Sequence, residues 1–111
     1  MSGMTPDEVY AEFRCAELHL ELGQPTEAVR LLEPVVDAAP ESTAVLELLA
    51  RALFASAQLA RAEEALRALV DRRPDDGWAY FALARTLERQ SRHAEAAEQR
   101  RIAAALGLTG S

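Results

Sequence analysis

The stretch GQPTEAVRLLEPVVDAAP, residues 23–40, decides the fold. A helical pattern runs near residues 25–38, between a break at Gly23-Gln24 and a stop at Pro40. Pro34 lies inside it and should bend it, because proline removes a hydrogen bond and crowds the preceding turn. Sliding the chain on itself by 34 residues reproduces the stretch twice more. The shift stacks Ala28, Ala62 and Ala96, and upstream it stacks Ala16, Ala50 and Ala84. It also stacks Val35, Leu69 and Ala103, and Pro40 with Pro74. Residues 9–42, 43–76 and 77–110 are therefore three copies of one unit.

Each column has a physical reading. Small residues sit where two helices touch closely, larger ones fill the gaps, and proline marks the connection onward. Working outward, a first helix precedes the second in every copy. First helices are expected near 6–22, 42–56 and 76–90, and second helices near 25–38, 59–72 and 93–106. Short breaks at Gly23-Gln24, Ala57-Gln58 and Ser91-Arg92 join them. Thr5, Pro6 and Glu8 form a helix-start signal with a capping box, and Gly107 is a stop. The expected fold is all-α: six helices in three hairpins, one domain over residues 5–110, with residues 1–4 disordered.

The period and the helix–turn–helix unit resemble the tetratricopeptide repeat, over nearly the whole chain. Gly23, Ala28, Leu32 and Pro40 fall on positions of that motif. The resemblance implies an α-solenoid whose hairpins stack in a right-handed sense. Two departures fall at the ends. Glu12 stands where Leu46 and Tyr80 stand, and Arg100 where Leu32 and Leu66 stand. Terminal repeats need a polar outer face, so both residues read as caps. Three copies is about the minimum for a stable stack.

Composition excludes several classes of function. Half of the 111 residues are hydrophobic and the net charge is −6. Such a chain is a poor match for nucleic acid, whose phosphates would repel it. The charge is uneven: residues 1–49 carry ten carboxylates against two arginines, and residues 50–111 carry eight against ten. One half is thus −8 and the other +2. All twelve cations are arginine, a bias that fits a bacterial source. No apolar run approaches the roughly 20 residues that span a bilayer. The N-terminus lacks a secretory pattern, so the cytoplasm is the expected location.

Chemistry-bearing residues are sparse. Cys15 and His19 are four apart on one helix face and could form half a metal site. Both fall in columns filled by leucine elsewhere (Leu49 and Leu83, Leu53 and Leu87), so both are expected in the core. The few serines sit at helix ends, and no glycine-rich loop could cradle phosphate. Glu17/Glu21 and Glu63/Glu64 are expected on solvated helix faces. The expectation is a protein without catalytic activity, metal or cofactor.

The family resemblance places function on a concave face built by the first helices. Carried onto this sequence, that face comprises Tyr10, Phe13, Arg14 and Glu17 from the first copy. The second copy supplies Leu48, Arg51 and Phe54, and the third Trp78, Phe81, Arg85 and Arg89. Five of the six aromatic residues fall on this face, and only Tyr80 belongs to a packing column. Exposed rings lower solubility, whereas each buries about 150–250 Å² in a partner. The positions that would form a chaperone-tail carboxylate clamp hold Phe13, Glu17, Leu48, Trp78 and Ala82, so that clamp is absent. The expected function is to hold a peptide or helix of another protein. The alternative is a self-associating subunit, a homo-oligomer whose groove or terminal helix is covered by another copy. If the register is right, Ala62→Leu overpacks the second helix and costs roughly 1–3 kcal/mol in a thermal or denaturant melt; an unchanged midpoint would show the register to be wrong.

Overall fold

The structure, a computed structural model, describes residues 3–107. It contains α1 (Pro6–Glu21), α2 (Pro25–Ala38), α3 (Thr43–Ala55), α4 (Leu59–Arg72), α5 (Gly77–Arg89) and α6 (His93–Ala105). No strand occurs among the described residues, and every helix lies within a residue or so of its expected bounds. Of the segment expected to be disordered, residues 1–2 lie outside the described part, while Gly3 and Met4 precede α1 without helical structure. Residues 108–110, the expected end of the domain, also lie outside it. Among the described residues, no helix is long and apolar enough to cross a membrane.

The chain divides at Ser56/Ala57 into two compact units. In the first, α2 packs on both α1 and α3; in the second, α5 packs on both α4 and α6. Within each unit short connections set neighbouring helices antiparallel.

The repeat columns are columns of burial. Ala16, Ala50 and Ala84 are all 0% exposed, and Ala28, Ala62 and Ala96 are at most 1%. Val35, Leu69 and Ala103 are buried to the same degree. Leu32 and Leu66 are fully enclosed, whereas Arg100 in the same column reaches the surface and pairs with Glu88 of α5. That ion pair explains how a cation occupies a leucine position. Pro34 is on the exposed side of α2, where water can serve the carbonyl that loses its amide partner.

The caps follow the sequence. Thr5 accepts from the Glu8 amide and Glu8 from the Thr5 amide, closing a capping box on α1. Ser42 caps α3 and Asp76 caps α5, each accepting an amide hydrogen bond of 3.2 Å. The turn inside each copy places one residue in the left-handed region: φ is +75° at Gly23, +58° at Ala57 and +63° at Ser91. At Gly23 and Ser91 the surrounding bonds form a Schellman motif. Gln24 N–H reaches His19 at 2.8 Å, and Arg92 N–H reaches Leu87 at 2.9 Å.

Two expectations require correction. Cys15 is exposed, and His19 is half-buried with Nδ1 against Gln24 Oε1. Their leucine counterparts on α3 and α5 lie on helices that pack against a preceding second helix, and among the described residues α1 has none. Glu63 is not simply solvated. It is half-buried and accepts from Arg67 (3.0 Å), Gln90 (3.1 Å) and Arg92 (2.7 Å). Arg92 also forks onto Glu95 at 2.8 and 2.9 Å. This network ties α4 to the α5–α6 turn. Burial alone would raise the Glu63 pKa, but the bonds from Arg67, Arg92 and Gln90 outweigh it and hold the carboxylate below its ordinary value of 4.5.

Two measurements follow from these turns and this network. Ala57→Gly should raise stability by about 0.5–1 kcal/mol, because glycine takes the left-handed conformation without the steric cost alanine bears there. A melt showing the glycine variant less stable would mean that this backbone is not populated. For Glu63 the folded pKa is depressed, so its contribution is present above pH 4.5 and is lost as pH falls through the folded value. Glu63→Gln should cost roughly 1 kcal/mol at neutral pH. Its deficit relative to the parent should shrink as acid titrates the parent, read from melting temperatures across that range.

Candidate functional site

Within the first unit, α1 and α3 approach each other and leave a hollow of about 300 Å³ between them. Phe13, Glu17, Leu48 and Arg51 line it, together with Ala44 and Glu47. Four residues expected on one face from sequence are therefore brought together here. Leu48 is only 8% exposed and is mostly a core residue, with its remaining surface at the hollow. Each cation holds a carboxylate on its own helix: Arg14 pairs with Glu17 at 2.8 Å, and Arg51 with Glu47 at 3.0 Å. Both pairs are a turn apart and more than a quarter exposed, so each contributes only a few tenths of a kcal/mol.

A second hollow of about 490 Å³ adjoins the start of α1. Its lining is largely apolar, including Pro6, Val9, Tyr10, Phe13, Ala39 and Val45. Tyr10 is 67% exposed at its edge, and Phe13 borders both hollows. Sequence reasoning placed Tyr10 and Phe13 but not this hollow. Its origin is the early start of α1. The N-caps of the later first helices, Ser42 and Asp76, align with Glu8, yet α1 is already capped by Thr5 and carries nearly one additional turn. That extra turn supplies Pro6. The capping box at Thr5 was the available signal.

Phe54, the remaining candidate of the first unit, is half-buried on α3. In the second unit the candidates stand on α5. Trp78 and Phe81 are half-buried, while Arg85 and Arg89 are exposed or partly so. Arg85 approaches Glu88 at 3.9 Å, and Glu88 is also held by Arg100. A single carboxylate shared between two guanidiniums leaves this end of the helix with cationic surface. Among the described residues, no group of three His, Cys, Asp or Glu gathers as a metal site would require.

Comparisons with known proteins agree with this architecture. A sequence model described as the tetratricopeptide repeat matches residues 2–52 and, in a second placement, residues 19–77. No curated protein sequence matches. Among solved structures, the chain is similar to a point mutant of MamA, with 26% identity and a TM-score of 0.85. That alignment covers 92% of this chain and 74% of the other. It is also similar to MamA 41-end from Desulfovibrio magneticus RS-1, with 30% identity and a TM-score of 0.80. The MamA RS-1 ArsTM double mutant gives 30% identity and 0.81. In both cases 91% of this chain is covered, and it spans 57% of the other chain's length.

Proposed function

Because the chain belongs to the tetratricopeptide repeat family, we propose that it is a protein-interaction module whose first helices, α1, α3 and α5, take a peptide or helix of another protein on the face that carries the aromatic residues. The observation that carries this reading is Phe13. It stands half-buried between an apolar hollow and a charged one, so a partner could seat an apolar side chain beside it and a polar group within one turn. The concentration of aromatic residues on this face supports the same reading. Apolar anchors of the partner would lie on Phe13, Phe54, Trp78 and Phe81.

An acidic group of the partner would be met by arginine, which forks onto carboxylates. Arg51 already shares Glu47, so Arg85 and Arg89 carry most of this attraction. Holding a partner this way needs no bond made or broken. Affinity then comes from buried rings and association rate from charge.

Peptides selected from a random display library against the folded protein test this reading. They should carry aromatic or branched aliphatic anchors. Phe13→Ala or Trp78→Ala should weaken them by about 2 kcal/mol, close to thirtyfold, mostly through faster dissociation. Arg85→Glu should slow association, and added salt should shrink that difference. Selected peptides that bind all three variants like the parent would move the site to another face.

A further inference from the structure

Among the described residues, one face of α1 carries an apolar stripe that lies open. By the 34-residue shift, Ala11, Cys15, Leu18 and Leu22 stand where α3 has Val45, Leu49, Ala52 and Ser56. On α5 the same places hold Ala79, Leu83, Thr86 and Gln90. In the later copies the helix that carries these positions packs on the second helix of the copy before, α3 on α2 and α5 on α4, with Gln90 bonded to Glu63 across the latter joint. Most of them are enclosed: Val45 is 5% exposed, Ala52, Ala79, Leu83 and Thr86 are 0%, and Leu49, Ser56 and Gln90 are half-buried. On α1 the stripe stays apolar but lies open. Leu18 is 53% exposed and Leu22 62%, with Ala11 and Cys15 also exposed. Leu18 and Leu22 are one turn apart and so form a contiguous apolar patch with Cys15 rather than singly exposed residues.

The counterpart of such a face is also in the chain. On α4 the joint toward α5 includes Glu63, which holds Gln90 at 3.1 Å. Positions equivalent to Glu63 and Val70 on α6 are Ala97 and Ala104, both exposed. Volumes compensate: Leu18 is larger than its counterparts Ala52 and Thr86, while Ala97 and Ala104 are smaller than theirs. Charges compensate as well. Asp7, Glu8, Glu12 and Glu21 flank the α1 stripe, with Arg14 held by Glu17, and the exposed Arg101 stands between the two alanines of α6 beside Arg100, which Glu88 already holds.

We propose that this chain binds a second copy of itself head to tail, the open stripe of α1 on one copy seating on the Ala97–Ala104 face of α6 on the next. The joint repeats the one that α2 makes with α3 and α4 makes with α5. Two different faces meet, so the contact is heterologous and can propagate. It uses neither hollow of the proposed partner site and stands independently of that site.

Sedimentation of the full chain over a wide concentration range tests the proposal, with two variants at exposed positions. Leu18→Glu blocks the head and Ala104→Glu blocks the tail. The parent's average mass should rise with concentration, and each variant alone should remain a monomer. Mixed in equal amounts, the variants should form a one-to-one heterodimer and nothing larger, because each retains the face the other lacks. Cys15, the only cysteine, should react severalfold more slowly with a thiol reagent in concentrated parent protein than in dilute. A parent that stays monomeric to its solubility limit overturns the proposal. So does a mixture that stays monomeric, or an Ala104→Glu variant that still dimerises, which would mark a symmetric α1–α1 contact. Circular dichroism confirms folding of each variant, and binding of library-selected peptides to Leu18→Glu reads the groove separately.

Discussion

Two alanine positions per copy govern the architecture, because helix axes can come close only where no side chain longer than a methyl intervenes. Ala16 and Ala28, Ala50 and Ala62, Ala84 and Ala96 are all enclosed, and the larger residues of the core are arranged around them. The same small residues recur at the same places, so a position that is buried in one copy tends to be buried in the next. Tyr10 is exposed on α1, and Phe13, Phe54, Trp78 and Phe81 are half-buried on the first helices.

The structure uses polar groups to hold what the alanines bring together. Glu63 gathers three donors at the α5–α6 turn, and Glu88 binds Arg100 where the other copies bury leucine. Both devices belong to the second unit, which carries most of the arginine. The first unit meets the same need with apolar contacts and a longer α1. This division gives the two halves different surfaces: hollows edged by rings in one, exposed guanidiniums beside half-buried rings in the other.

Most of the fold was legible because a repeat reports equivalence. Three aligned copies of alanine identify the close contacts, and Thr5 with Glu8 and Gly23 mark ends whose chemistry is local. Equivalence does not report neighbours. Cys15 shares a column with Leu49 and Leu83, yet burial in that column depends on a preceding helix. Glu63 shares its column with the buried Val29, but its donors lie up to 29 residues along the chain and have no fixed spacing. The apolar hollow beside Tyr10 depends on α1 starting three residues ahead of the repeat, a feature outside the period. The candidate face was legible as a set of positions. Its polar residues were only partly so: the pairing of Glu47 with Arg51 follows from their four-residue spacing, whereas the hold of Arg100 on Glu88, from the next helix, has no fixed spacing.

Whether the first helices carry the recognition surface is read by an NMR titration of the labelled protein with a selected peptide. Shift changes should concentrate on α1, α3 and α5, largest at Phe13, Trp78 and Phe81, with α2, α4 and α6 little affected. Changes concentrated on the second helices, with those three rings unmoved, would contradict it.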